Sequence, residues 1–435
     1  MSQQRVLLIE PTEQDGLGWE MYPSAGLLML GTLLLQEGIR VELLHLVADG
    51  LSLKDVGNRI ASWRPDTIGL TINTMQIASA KEVAAIAHRQ APESLMVAGG
   101  PHVTCLPQQV LENIPQLDAV CVGEAEESFV QLIKAPNQKG IPGVLRQGET
   151  FAGNIPRTAD LDSLPFVRVD LVDLHRFGGF GYTSNKPAMF VLGSRGCPFN
   201  CSFCSKSVRG KSVRFRSPEN ILDEVECLHR NYGIREIYFL DDCFNLKLDR
   251  AASILKGLID KGLNRHMGFR LVMRANRELV TDGLLKLAKR AGVNSVFFGV
   301  ESGSQTILDR AGKNLTAEEV ERAFRLAHKN GLETIASFVI GLPGESHETV
   351  KESLKLFHKI KPTYAAAQFA SPLPDTELRK QLLAAGHLVE PNYDEYSFLH
   401  CSVRSDELTC GELADYQKKM TDTFLRTCPG FNHTT

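Results

Sequence analysis

Three cysteines stand within eight residues, Cys197, Cys201 and Cys204, in the stretch Gly193–Ser194–Arg195–Gly196–Cys197–Pro198–Phe199–Asn200–Cys201–Ser202–Phe203–Cys204. The spacing is CxxxCxxC, and Gly196 and Pro198 turn the backbone around whatever the thiolates hold. Thiolates this close share a metal, and soft sulfur ligands favour zinc or an iron–sulfur cluster. A structural zinc needs a fourth ligand. After Cys204 the next Cys or His is Cys227, inside a helical pattern. A cubane cluster held by three thiolates keeps one iron open, which makes it a reactive site.

The elements that must position this loop follow a strand–helix rhythm. Strands are expected at Met189–Gly193, Glu236–Asp241, Gly268–Arg274, Ser295–Val300, Thr334–Ile340 and Tyr364–Ala370. Helices are expected at Pro218–Asn231, Arg250–Lys261, Thr281–Ala291, Ala317–Asn330, Glu348–Ile360 and Thr376–Ala385. Six β/α units make an incomplete form of the eight-unit TIM barrel, whose chemistry sits at the carboxyl ends of the strands. The cysteine loop follows the first of these strands. Asp241 and Asp242 end the second, Arg274 the third, Glu301–Ser302–Gly303 the fourth and Gly341–Leu342–Pro343–Gly344–Glu345 the fifth. Charged or Gly-rich groups at four strand ends suit one ligand with both charged and apolar parts.

The first 135 residues read as a second α/β unit. Strands are expected at Arg5–Glu10, Arg40–His45, Thr67–Asn73, Leu95–Gly99 and Ala119–Gly123, with helices at Ala25–Glu37, Leu53–Trp63, Ile77–Gln90 and Pro107–Asn113. Such alternation implies a doubly wound parallel sheet that binds ligands beyond its carboxyl strand ends. No G-x-G-x-x-G follows the first strand, which argues against a dinucleotide. Residues 136–188 hold Pro136, Pro142, Pro156 and Pro165 and read as a linker with a short hairpin around Val144–Phe151. The division is thus 1–135, a linker at 136–188, a barrel at 189–385, and a tail at 386–435. In the tail an irregular aromatic segment, Gly386–Ser405, precedes a helix at Cys410–Leu425.

A chain of 435 residues exceeds one ordinary core. Its net charge of −3 carries no basic signature for nucleic acid. The longest apolar run, Ala25–Leu35, is too short to span a bilayer. Ten cysteines with no secretion signal imply a reducing cytoplasmic setting and metal chemistry.

With Phe203 before its last cysteine, the loop resembles the cluster motif of the radical S-adenosylmethionine (AdoMet) enzymes. The turn Gly99–Gly100–Pro101–His102 and the segment VGEAEESF from Val122 to Phe129 follow a PSAGLLMLGTLL helix. Together they resemble the N-terminal domain of the cobalamin-binding members of that superfamily, the class B methylases. The likeness runs from about residue 5 to about residue 385. It implies a flavodoxin-like (Rossmann) domain carrying cobalamin at its strand ends, where Gly99, Gly100 and His102 lie. It also implies a 4Fe–4S cluster on Cys197, Cys201 and Cys204 whose open iron chelates AdoMet. In that scheme Asp242 lies near the amino group, Arg274 near the carboxylate and Glu301 near the ribose, with Phe203 and Ser302 beside them. Gly341, Gly344 and Glu345 make the adenine turn. His102 either contacts the corrinoid or caps the next helix. Glu124 and Glu126 open a helix. This chain lacks the D-x-H-x-x-G motif that supplies histidine to cobalt, and His45 reads as a solvated loop residue, with a cobalt ligand as the alternative.

The resemblance further implies reductive cleavage of AdoMet to methionine and a 5′-deoxyadenosyl radical, with methyl transfer to a small molecule or peptide as the outcome. The alternatives are cyclisation, rearrangement or aminocarboxypropyl transfer, with or without cobalamin. Methylthiotransferases carry three more cysteines in the N-terminal domain, where this chain has only Cys105 and Cys121. The electron comes from a flavodoxin- or ferredoxin-type reductant. The basic loop Lys206–Arg216 reads either as solvated or as that reductant's docking face. Cys401, Cys410 and Cys428 read as scattered buried thiols, with a thiophilic substrate such as arsenite, or a second cluster, as the alternative. Pro374–Asp375–Thr376 stands where the family more usually has Pro–Gly–Thr.

Overall fold

Four consecutive apolar residues, Val6, Leu7, Leu8 and Ile9, are all fully buried, the pattern of a strand covered on both faces. They form β1 (Arg5–Glu10) of a computed structural model that describes residues 3–12, 22–177, 183–389 and 392–430. The chain divides into two compact units. The first takes Met1–Phe180 together with Lys206–Gly210 and Asn392–Ser397, and the second takes the remainder.

In the first unit β1 is followed by α1 (Ala25–Gln36), β2 (Arg40–His45), α2 (Leu53–Trp63), β3 (Thr67–Thr71), α3 (Ile77–Gln90) and β4 (Leu95–Gly99). Then come α4 (Pro101–Cys105), α5 (Pro107–Asn113), β5 (Ala119–Cys121), α6 (Glu126–Lys134) and β6 (Val144–Arg146). The sheet order is β2-β1-β3-β4-β5-β6. The first five strands are parallel, and their order is the flavodoxin-like one, with its switch point between β1 and β3. β6 adds antiparallel to β5, with Val144 against Cys121. This corrects the expected local hairpin at Val144–Phe151: the strand finds its partner in the sheet edge instead. The described residues of 136–177 belong to this unit.

The second unit opens with β7 (Ala188–Val191) and the arms of a two-stranded ribbon, β8 (Ser194–Arg195) and β9 (Arg214–Phe215). It continues through α7 (Pro218–Tyr232), β10 (Glu236–Phe239), α8 (Leu248–Asp260), β11 (Gly268–Met273), α9 (Asp282–Arg290) and β12 (Val293–Glu301). After these come α10 (Gln305–Arg310), α11 (Ala317–Lys329), β13 (Glu333–Ile340), α12 (His347–Ile360), β14 (Tyr364–Phe369), α13 (Glu377–Ala385) and α14 (Cys410–Thr427). The strands β7 and β10 to β14 lie side by side in chain order, all parallel: a six-unit partial barrel. Ser217, Thr281, Thr316, Ser346, Thr376 and Thr409 start helices by accepting a backbone N–H, which fixes where each loop ends.

Near the amino ends of these strands the core holds a fully buried pair, Arg270 on β11 with Glu236 on β10, and Arg270 Nη1 also donates to Ser295 Oγ at 2.9 Å. Charges at that end stabilise the barrel, while the opposite end carries the chemistry.

Candidate active site

The cysteine loop leaves the barrel at Gly193, where no side chain fits. A Cβ there would meet Arg250 Nη2 at 2.8 Å, Ile221 at 2.9 Å and Asp241 Oδ2 at 3.0 Å. Those neighbours fasten the loop. Gly193 N–H donates to Asp241 Oδ2 (3.1 Å), and the Ser194 hydroxyl donates to the same carboxylate. Arg250 donates to the carbonyls of Gly193 (2.6 Å) and Arg216 (3.0 Å), closing both arms of the ribbon. Burial pushes the Asp241 carboxyl up, and the Arg250 cation opposes it. Asp241 is therefore the anchor of the loop. Asp242, the residue expected at the AdoMet amino group, is exposed beside it.

Cys197 and Cys201 are half-buried and Cys204 is exposed. Among the described residues no three His, Cys, Asp or Glu side chains gather around a point that one ion could occupy. The donor set of three thiolates fits the cluster. Cys243, just after β10, is the nearest further thiol in sequence to Asp241 and Asp242. Burial pushes it up to about 12, and it donates to Asn245 Oδ1 at 3.2 Å, so it stays a protonated thiol.

The structure brings Arg274 to this loop, sets Glu301 near Phe203 through Lys313, and adds residues that the sequence reading missed. Arg274, nearly buried, points Nη1 at Cys201 Sγ (3.7 Å) and stacks its guanidinium 3.6 Å from the Phe199 ring centre. Glu301 sits at a bulge between β12 and β13 with φ +67, and its Oε1 accepts from Lys313 Nζ at 2.6 Å. Gly299 makes room for this pair, since a Cβ there would meet Glu301 Oε1 at 2.3 Å and Lys313 Nζ at 2.9 Å. Lys313 Nζ lies 5.9 Å from the Phe203 ring centre. Its segment is tied to the cysteine loop through Ser202 N–H, which donates to the Ala311 carbonyl at 2.8 Å, and Gly312 lies against Asn200. The Gly312–Lys313–Asn314 turn is the sequence signal for this segment. It was hidden by α10, too short to show helical periodicity.

Ser302 and Glu345 take other places. The Ser302 hydroxyl meets Ser353 Oγ at 3.3 Å and accepts from Ser304 N–H. Glu345 folds back under its own turn, accepting from Gly341 N–H (3.2 Å) and the Thr349 hydroxyl (2.6 Å), and burial pushes its carboxyl up to about 7. Gly341 and Gly344 have φ +90 and +88, so the turn needs glycine at both. Gly344 backs onto Arg310 and Gly341 onto Val403.

At the carboxyl strand ends of the first unit the groups are mostly backbone. Gly100 has φ +105, and a Cβ would meet Ile72 O at 2.8 Å; Gly99 precedes it. His102, buried in α4, contacts Thr74 Oγ1 (3.1 Å) and sets its ring edge-on to Tyr393 at 5.1 Å. Glu124 accepts from Thr158 N–H at 2.8 Å, and Glu126 opens α6. His45 corrects the expectation of a solvated loop residue. It is buried at the end of β2, with Nε2 3.3 Å from Glu10 Oε2 and Nδ1 accepting from Ala48 N–H, and burial lowers its pKa to about 4. Glycine turns at the carboxyl ends of these strands suit a large cofactor approached by backbone, and both ring nitrogens of His45 are engaged within the unit.

Of the basic loop Lys206–Arg216 only Lys211 and Ser212 are fully exposed, so most of it is half-buried instead of solvated. In the first unit Arg157 donates to the carbonyls of Val208 and Ser207 (both 3.1 Å). In the second, Arg216 pairs with Glu224. Two of the tail thiols are engaged as well, and the third, Cys428, is buried. Cys410 Sγ lies 2.8 Å from the Cys401 carbonyl, Cys401 donates to Val403 O at 3.2 Å, and burial pushes both Cys401 and Cys428 up to about 12.

Comparisons with known proteins agree with this fold. The Radical SAM superfamily matches residues 191–357 and the B12 binding domain matches residues 20–133. An uncharacterized methyltransferase of Pyrococcus horikoshii, PH0819, is 31% identical over 98% of this chain and 93% of its own length. An anaerobic magnesium-protoporphyrin IX monomethyl ester cyclase of Rubrivivax gelatinosus is 29% identical over 94% of this chain and 75% of its own. The fold matches TsrM of Kitasatospora setae, a radical AdoMet methyltransferase solved with cobalamin and a [4Fe-4S] cluster. The TM-score is 0.71 at 20% identity, over 96% of this chain and 85% of that one. No helix among the described residues is long and apolar enough to cross a membrane. With three thiolates at the rim of a partial barrel and a flavodoxin-ordered sheet before it, the chain belongs to the cobalamin-dependent radical SAM methyltransferase family, whose cofactors are a 4Fe–4S cluster, AdoMet and cobalamin.

Proposed function

We propose that this chain methylates an unactivated carbon or phosphorus centre in a small molecule or peptide. The observation that carries the reading is the barrel rim itself: three thiolates within one loop, and at the ends of β12 and β13 the buried Glu301–Lys313 pair and the Gly341–Gly344 turn. When bound, the cluster supplies one-electron reductive cleavage of AdoMet and the corrinoid supplies a methyl carrier. The chain's own residues bind and orient. Cys197, Cys201 and Cys204 hold the cluster. Glu301 offers its carboxylate to the ribose hydroxyls, and Lys313 fixes that carboxylate from behind while presenting a cation beside Phe203. Asp242 faces the amino group. The backbone at Gly341 and Gly344 lies against adenine, held by Glu345 below. Gly99, Gly100 and the α4 turn with His102 support the corrinoid by shape. A flavodoxin- or ferredoxin-type reductant delivers the electron, and Lys211 is the cation of the basic loop exposed to meet it. All ten cysteines are free thiols, as a reducing cytoplasm would keep them.

Anaerobic reconstitution with iron, sulfide and cobalamin, followed by AdoMet and a reductant, tests the reading. Deoxyadenosine together with S-adenosylhomocysteine is the expected product pair. Methylthioadenosine would show aminocarboxypropyl transfer instead. The relative named a cyclase favours a second reading, radical chemistry without methyl transfer. Deoxyadenosine alone would select it.

A further inference from the structure

Arg274 is held from every side. Its backbone N–H donates to Asn245 Oδ1 (3.0 Å), and its carbonyl accepts from Asn245 Nδ2 (2.9 Å). In the side chain, Nε donates to Asn276 Oδ1 (2.9 Å), Nη2 to the Lys313 carbonyl and Nη1 to Cys201 Sγ (3.7 Å), while Phe199 covers one face of the guanidinium. Asn276 is itself fixed, its Nδ2 donating to the Asn314 carbonyl at 2.7 Å. Among the described residues, this guanidinium makes the one side-chain hydrogen bond to the Cys201 thiol. A cation pinned at both backbone and head does not swing out to follow a substrate. Its fixed charge falls on one sulfur.

Hydrogen bonds to ligand sulfurs and nearby charge set the potential of an iron–sulfur cluster. We propose that Arg274 is a positioning residue that tunes the cluster through Cys201, favouring the reduced state rather than binding the AdoMet carboxylate. The inference rests on the reading that Cys197, Cys201 and Cys204 hold the cluster. The step is the uptake of one electron from a low-potential reductant, with no bond to the protein made or broken. A guanidinium in low-dielectric surroundings stabilises the added negative charge, and a hydrogen bond to a charged acceptor is worth roughly a tenfold change or more in an equilibrium.

The test compares reconstituted wild type, R274K and R274Q by iron content and by redox titration followed by electron paramagnetic resonance. With iron per chain unchanged, R274Q should show about a tenfold lower ratio of reduced to oxidised cluster at a fixed potential, about 59 mV for one electron. R274K, which keeps the cation and loses the fork, should fall between R274Q and wild type. Full iron in R274Q with a wild-type potential would overturn the proposal. If R274Q loses iron, R274K decides by the same titration. Loss of iron in both also overturns it, since Arg274 would then be a folding requirement of the loop. Failure of the underlying reading looks different: wild type itself would take up no reducible cluster.

Discussion

Both units place their glycine turns at the carboxyl ends of parallel strands, yet they furnish those ends differently. In the barrel, carboxylates meet cations: Asp241 with Arg250, Glu301 with Lys313. In the first unit the buried acid Glu124 accepts from a backbone N–H, His102 touches a hydroxyl and a ring, and Gly100 crowds onto Ile72. One face offers fixed charge, which suits a charged ligand. The other offers shape, which suits a bulky one. The same α/β architecture serves both, and the side chains at the strand ends decide which.

The largest effect expected from that contrast is at Lys313. Lys313→Met leaves Glu301 buried without its partner and should cost about 3–5 kcal/mol, read as lost stability of the barrel unit in denaturant and as weakened equilibrium binding of AdoMet. If binding and stability both stay at wild-type values, the charged face is not what holds the ligand. Gly100→Ala comes next. It strains a backbone at φ +105 and pushes against Ile72, costing about 1–3 kcal/mol. Cobalamin retention should drop while cluster iron stays full, and loss of both together would contradict the division of labour.

The two units should also respond oppositely to pH. Burial lowers His45 to about 4, so between its ordinary 6.5 and 4 the unfolded chain binds more protons than the folded one. Stability carried by the first unit therefore falls as pH falls through that window. Burial raises Glu345 to about 7 from 4.5, so between these values the folded chain binds more protons and the second unit loses stability as pH rises. Denaturation of H45F and E345Q at pH 5 and pH 8 checks this. H45F should flatten the acid side and E345Q the basic side, and a swap or absence of these effects would refute the assignment.

The smallest effect is at Asp375, which adopts φ +59. A left-handed conformation costs an L-residue about 1–2 kcal/mol, somewhat less for Asp. Asp375→Gly should stabilise the barrel by no more than about 1 kcal/mol in a thermal melt and leave the first unit unchanged.

Much of this was legible in the sequence, for physical reasons. Alternating apolar runs and capped helices exposed both α/β units, and the six barrel strands lie within a few residues of their expected ends because each is built on a short, mainly apolar run. The departure at Pro374–Asp375–Thr376 was visible in the sequence, and the structure supplies its meaning: Asp375 takes a left-handed φ of +59 where glycine is usual. What stayed hidden is tertiary. Lys313 reads as one more surface lysine until β12 and the Gly312 turn bring it to Glu301. Asn245 and Asn276 carry no motif, and their role exists only because Arg274 lies between them. His45 and the basic loop read as solvated because hydrophilic composition says nothing about what packs over it. Ser302 and Glu345 sit at the right strand ends, but their side chains turn to Ser353 and Thr349 instead of the rim.

The central claim is that Cys197, Cys201 and Cys204 alone hold a cluster with an open iron at the barrel rim. The direct measurement is electron paramagnetic resonance of the anaerobically reconstituted, reduced protein with and without AdoMet, beside the single variants C197A, C201A and C204A. The account predicts a reducible four-iron signal in wild type that changes when AdoMet is added, and its loss in each variant. A C201A protein that keeps the signal and its response to AdoMet would contradict it.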